Sequence, residues 1–538
     1  MDTRLDRRTF LRLASATAAL MAQEARPETT SQAISQTKPQ AGVQAGAQAA
    51  GQQSAPAAPA ARRGRVAAVQ NRKNYVGIQV RAFAWIDEGI DEVLDNIQKK
   101  GGVNTVWAYT FTYGETRLRK GGGLPDHGVS AAEAGVAAGA FYDYDQKYFQ
   151  NTILKDFRST GYGTFNVIEQ VAPKAKARGM DFFAWDMNNA NAGVPRLIAN
   201  YAEVTEVDLN GRRTSSPCFN HPDYRAFLSG KVESLLAGYA SAVDGVAWGC
   251  EREGPLNGML SGGGAGSCFC QFCQAKGRER GISVERAREG YRQMGQLFHA
   301  TGANARPMDG YFATFWRLLL QYPEILSWET LWTESFQEMQ AELYGMGKEL
   351  APEKPFGFHM MQSTTFSPFC RAEEDYTKRR GTADFLKLAT YNNAGGPRME
   401  AFLNGLGRGI FRDATPQDFL ALYYKMMNYA EAPYDQLASA GLSPDYVAKE
   451  TRRALAAVGG EVKIYPGIDI DVPTLSENPK PTDKRTKPED VSRALRAAFG
   501  AGADGVVLSR EYVEMWLANL TAAGDTLREI FAQQAKPA

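Results

Sequence analysis

From residue 74 onward, short runs of β-branched and aromatic residues alternate with segments whose apolar positions recur every three or four residues. A run that is apolar throughout reads as a strand buried on both faces, and three-and-four spacing reads as a helix with one buried face. Their alternation predicts parallel strands joined by crossover helices. Eight runs qualify: 75–83, 104–109, 181–186, 245–248, 356–361, 385–391, 462–468 and 505–508. Between them Ile90, Val93, Leu94 and Ile97, and likewise Phe227, Val232, Leu235 and Leu236, mark helix faces. Gly-containing helix exits at 99–103, 177–180 and 500–504 supply the C-cap chemistry that restarts a repeat. Eight units with no glycine fingerprint after the first run predict a closed α/β (β/α)8 TIM barrel rather than an open doubly wound sheet. Long stretches after the second and fourth runs predict βα-loop insertions, and the helical piece 316–350 is too extended for one crossover. In a barrel such insertions wall the active site, so the chemistry is expected at strand C-terminal ends.

Ahead of this region the pattern changes. Arg7-Arg8-Thr9-Phe10-Leu11-Arg12 precedes a short, weakly apolar stretch at 13–22, the layout of a twin-arginine signal. Residues 1–25 are therefore read as a signal peptide handed to the Tat translocon, with a periplasmic or secreted destination. Residues 26–72, rich in Ala, Gln and Pro, hold too few large apolar side chains to offset the entropy of ordering and read as a disordered linker. The barrel occupies 73–538. No later stretch reaches 18 uninterrupted apolar residues, so no membrane anchor is expected after the signal.

The 538 residues carry a formal charge of +1, which offers no electrostatic case for nucleic acid. Aromatic residues make up 11%, enough flat apolar surface for stacking sugar rings. G-x-S-x-G, H-E-x-x-H and P-loop motifs are absent, which weakens esterase, zinc-protease and kinase readings.

Six cysteines are present. Cys268-Phe269-Cys270-Gln271-Phe272-Cys273 can bring three thiolates to one soft cation, and a fourth would close a tetrahedral zinc site. Disulfide formation outside the cytoplasm is the competing use. The segment Arg212-Arg213-Thr214-Ser215-Ser216-Pro217-Cys218-Phe219-Asn220-His221, followed after the next strand by that cluster, resembles family 42 β-galactosidases. The resemblance implies Cys218 as the fourth ligand of a structural Zn2+ and Glu251, in Trp248-Gly249-Cys250-Glu251, as the acid/base at the end of strand four. Folding before Tat export would let the metal load in the cytoplasm. The chain departs from the family at Cys250, where the family has asparagine, in the longer loop 251–268, and at strand seven, which lacks the nucleophile glutamate. It is thus similar to the wider group of hypothetical glycosyl hydrolase barrels.

Glycoside hydrolysis generally uses two carboxyls at the barrel mouth. Glu251 leads, because the apolar strand before it would desolvate its carboxyl and raise its pKa toward that of an acid. An ion pair to Arg252 or Arg510 is the competing reading. Glu253 is the understudy to Glu251; the second carboxyl is expected from the stretch holding Asp469 and Asp471, Asp469 first, and then from Glu511. Trp107, Tyr109, Trp185, Asp186, His359, Tyr391 and Asn392 stand at or near strand ends and suit a carbohydrate substrate. His127 reads as a loop or lid residue, and His221 as a substitute ligand should Cys218 turn away. The expectation is an exported glycoside hydrolase. The alternatives are a carbohydrate-binding barrel without hydrolysis and a metal-dependent sugar isomerase or epimerase.

Overall fold

In a computed structural model, the structure describes residues 74–112, 125–127, 138–159, 161, 163–189, 197–261, 264, 266–299, 306–473 and 482–535. The twin-arginine segment and the Ala/Gln/Pro-rich stretch lie outside the described residues. Eight parallel strands form the barrel: β1 (Tyr75–Val80), β2 (Thr105–Thr112), β3 (Asp181–Met187), β4 (Gly245–Gly249), β5 (Phe356–Met360), β6 (Phe385–Leu388), β7 (Lys463–Asp469) and β8 (Gly505–Ser509), with a short antiparallel strand at Gly139–Ala140 joined to β2. Each pairs with the next in sequence order, and β8 returns to β1 through Tyr75 opposite Gly505. The barrel is therefore closed, as the alternation of strands and helices predicts.

Two predicted strands overshoot. β1 stops at Val80 because Ala82–Asp87 is helical, and β6 stops at Leu388, shortly before the helix Asn392–Arg408 begins. The long helical piece is two helices, Tyr311–Gln321 and Glu324–Leu350, broken at Tyr322 and Pro323. A proline at that point lacks the amide that would continue the first helix.

The barrel interior is filled by Tyr75, Trp107, Phe183, Phe385, Tyr465 and their neighbours. Tyr75 and Tyr465 stack with centroids 4.1 Å apart. Rings this large fit because the opposing positions are glycine. A Cβ on Gly245 would meet the Phe183 ring at 2.7 Å, and one on Gly357 would meet the Phe385 ring at 2.5 Å. A second, larger core lies outside the strands, where Val76, Val106, Phe182, Val246 and Phe358 meet the helices.

Candidate functional site

Strand periodicity decides which strand-end residues reach the mouth, because successive side chains point to opposite faces. On β2 and β3, Trp107, Tyr109, Phe183, Trp185 and Met187 point in. Above them His359 meets the edge of Trp185, with ring centroids 5.8 Å apart. The Tyr109 hydroxyl donates to Glu511 Oε1 at 3.1 Å. With its amide oriented to satisfy both neighbours, Gln79 accepts from Trp185 Nε1 and donates to the Arg510 carbonyl.

Glu251 follows the last inward position of β4. It is the accessible carboxylate of this group: its side chain is 35% exposed, against 0% for that of Glu511. His359 Nε2 donates to its Oε1 at 2.7 Å, and Asn189 Nδ2 donates to its Oε2 at 3.0 Å. Asn189 Oδ1 accepts in turn from the Glu251 backbone N–H. Burial at the base of the mouth opposes ionisation of Glu251, but the hydrogen bonds from His359 and Asn189 outweigh it and hold the carboxyl well below the usual range. The expected upward shift toward an acid is therefore reversed: the ligand-free protein carries a carboxylate here. Burial and the neighbouring Lys387 lower the pKa of His359, so the imidazole that donates is neutral. The ion pairs considered for Glu251 go elsewhere, Arg252 to Glu206 at 2.6 Å and Arg510 to Glu514 at 2.5 Å.

The two other carboxyls are engaged inside the barrel. Asp469 is fully buried. Its Oδ1 accepts from the N–H groups of Asp471 and Val472 and from the Thr486 hydroxyl, and its Oδ2 accepts from the Ala394 N–H. Burial raises its pKa nonetheless. Glu511, also fully buried, is ion-paired to Arg81, and burial pushes its carboxyl up to about 7 against that pairing. Asp471 caps the N–H of Trp516 and is likewise raised by burial to about 7. Glu253 turns away, with Ser261 donating to it at 2.9 Å and the Cys370 thiol 3.8 Å away.

Three of the expected substrate contacts are corrected. Asp186 faces outward and forms a buried ion pair with Lys231 at 2.9 Å. Trp107 lies below the mouth, fully buried, with Nε1 donating to the Tyr75 hydroxyl at 2.6 Å. Asn392 lines a separate cavity with Asn393, Glu431, Ser443 and Lys484. Tyr109, Trp185, His359 and Tyr391 remain with Glu251.

Sequence reasoning missed Asn189, Lys387 and Arg398. Lys387 points inward on β6 opposite His359 of β5, fully buried, and donates to the Tyr391 hydroxyl. Its signal was the alternation Phe385, Lys387, which puts the lysine on the same face as a barrel-core ring.

Beside the barrel, the Sγ atoms of Cys218, Cys268, Cys270 and Cys273 all lie within 4.8 Å of one another, and all four residues are buried. Cys218 Sγ is 3.5 Å from the sulfurs of both Cys270 and Cys273, and none of the six cysteines is in a disulfide. Sulfurs bound tetrahedrally at about 2.3 Å from zinc sit at comparable separations. N–H groups of Val207 and Asn220 point at Cys268 and Cys218 at 3.4 Å, and the Asn220 amide points at Cys273 at 3.3 Å. Such donors stabilise thiolates, so the residues fit a closed structural zinc. His221 is not needed as a substitute; its ring packs edge-on against Phe272. His127 joins the β1 and β8 sides, with Nδ1 2.7 Å from Glu88 and Nε2 2.7 Å from the Met515 carbonyl.

No protein-family model and no curated protein matches the chain. Among solved structures, it is similar to the β-galactosidase of the psychrophilic Marinomonas ef1, with 12% identity over 85% of this chain and 60% of that one, at a TM-score of 0.49. It is also similar to the β-galactosidase of Bacillus circulans sp. alkalophilus, with 14% identity, 85% and 56% coverage and a TM-score of 0.44. The catalytic domain of the Paenibacillus polymyxa β-amylase gives 13% identity, 86% and 99% coverage and a TM-score of 0.43. The chain thus spans less than two thirds of the length of either β-galactosidase.

Proposed function

We propose that the barrel hydrolyses a glycosidic bond at its mouth, with Glu251 as the reactive carboxylate. The observation that carries this reading is an accessible carboxylate at the end of β4, oriented by His359 and Asn189. Glycosidases need two carboxyls held in opposite protonation states. Hydrogen bonds favour the ionised form of Glu251 and burial favours the neutral form of Glu511, so in this reading Glu251 is the base or nucleophile and Glu511 the acid. This exchanges the role that the family 42 resemblance gives Glu251. Asp469 is the weaker partner, since backbone N–H groups and Thr486 occupy its oxygens.

The test is turnover of an aryl glycoside panel by wild type and Glu251→Gln. A loss of at least about 10²-fold supports the assignment, and unchanged turnover removes Glu251 from the mechanism. Leaving groups separate the roles. Glu511→Gln should impair poor leaving groups far more than dinitrophenolate, which departs without a proton, whereas Glu251→Gln should impair both.

The burial of both partner carboxyls favours a second reading, a carbohydrate-binding barrel without hydrolysis. Sugar binding with no turnover on any substrate would select it. A sugar isomerase needs an open metal site, and among the described residues the grouped metal-ligating side chains are the four cysteines. These four we assign to a structural zinc, to be checked as one zinc per chain in the purified protein. Less than half an equivalent, with the thiols unoxidised, would sink that assignment. Export by the twin-arginine route completes the proposal, on the strength of Arg7-Arg8 and the stretch that follows.

A further inference from the structure

Two basic side chains share one aromatic ring at the base of the mouth. Lys387 Nζ lies 4.6 Å and Arg398 Cζ 5.5 Å from the centroid of Tyr391. Neither forms an ion pair with a carboxylate among the described residues. Lys387 donates to the Tyr391 hydroxyl. Arg398 donates to Gln362 Oε1 at 2.7 Å and to the Pro473 carbonyl at 2.6 Å, while its Nε is shut off from solvent with no acceptor. Burial, and then the charge of nearby Arg510, disfavour the Arg398 cation. Glu251 and Asp469 are the carboxylates near enough to offset it, and the oxygens of both are already engaged.

Arg398 is half-buried, whereas the buried side chains of Lys231, Arg252 and Arg379 are matched, by Asp186, Glu206 and Glu374. A desolvated cation without its counter-charge costs free energy. At a mouth, a ligand can supply the missing charge, and the planar guanidinium fork suits an oxyanion.

We propose that the mouth takes an acidic sugar, whose oxyanion substituent, a carboxylate or a sulfate, seats against Arg398 with Lys387 behind it. The word sugar rests on the hydrolase reading above; the anion does not. Burial lowers Lys387 to about 7, Arg510 and Arg398 add to this, and Glu251 opposes it. An arriving anion therefore draws a proton onto the amine, and binding takes up protons.

Calorimetric titration of the full chain at pH 7.5 with glucuronic acid, glucose 6-sulfate and glucose tests this, and the two acids distinguish carboxylate from sulfate. At least one acid should bind about tenfold or more tighter than glucose, with a heat that differs between HEPES and Tris as proton uptake requires. Lys387→Met should remove the buffer dependence, and Arg398→Gln should remove the preference for acid. Should Arg398→Gln not fold, Arg398→Lys and the wild-type ratio decide. Equal or weaker binding of both acids overturns the inference. Turnover of neutral glycosides that needs Glu251, without acid binding, would sink the anion site and spare the hydrolase. Acid binding that needs Arg398, without turnover of any glycoside, would do the reverse.

Discussion

Lys231 and Lys387 are both fully buried lysines, one on each side of the barrel wall, and they are treated differently. Lys231, between β3 and the helix Pro222–Glu233, donates to Asp186 at 2.9 Å and to Asn188 at 2.5 Å, and lies 3.9 Å from the centroid of Phe111. Lys387, inside β6, has the hydroxyl and face of one tyrosine. Burial lowers both amines, but Asp186 opposes the effect at Lys231 through direct contact, whereas Lys387 falls to about 7. A buried charge matched within the fold serves the fold, and one left unmatched at a strand end is available for something that arrives.

The largest effect should come from breaking the matched pair. Lys231→Met strands Asp186 in an apolar wall and should cost about 3–5 kcal/mol in urea unfolding, with Lys231→Met/Asp186→Leu recovering most of it. A loss below about 1 kcal/mol would show that the wall tolerates the lone carboxylate.

Next comes pH. The folded value of Lys387 near 7 lies below the ordinary lysine value of about 10.4, so between them the unfolded chain binds a proton that the folded chain does not. Stability from this group should therefore rise with pH above about 7, by at most about 1.4 kcal/mol per unit, and Lys387→Met should flatten the rise. Glu511 acts in the opposite sense in a lower window: its folded value of about 7 exceeds the ordinary value of about 4.3, so its contribution is full below that value and is lost as pH approaches 7. Urea midpoints at about pH 7 and 9 read the Lys387 window, and midpoints at about pH 4 and 7 read that of Glu511. A Lys387→Met slope equal to wild type would contradict the assignment.

The smallest effects belong to the unmatched site. Lys387→Met at pH 7 should change stability by less than about 1 kcal/mol in either direction, because an apolar side chain of similar length replaces an amine without a counter-ion. Tyr391→Phe should cost about 1 kcal/mol for its hydroxyl. Losses above about 3 kcal/mol in either variant would make Lys387 as structural as Lys231.

Much of this molecule was legible in its sequence. All eight strands were found because strands covered on both faces are written as nearly continuous apolar runs, and the C-x-C-x-x-C spacing pointed to three of the clustered cysteines, with Cys218 following only from the family resemblance. Facing was harder to read. Asp186 and Trp185 are adjacent in sequence, yet one points to Lys231 outside the barrel and the other to His359 within it. Depth was harder again, since Trp107 and Tyr109 share the interior face and differ by one layer, which puts one in the core and the other beneath Glu511. The ionised state of Glu251 was invisible, because it depends on Asn189 and His359, 62 and 108 residues away.

The thiol cluster also has a bearing on inheritance. Cys218 belongs to the connection between β3 and β4, and the other three cysteines belong to the connection between β4 and β5; Arg252 adds a second rivet by pairing with Glu206 across the same two segments. Barrels diversify by exchanging one βα loop at a time. Here two loops are stapled into a single heritable part, so a graft of either alone would carry one or three of the four clustered thiols.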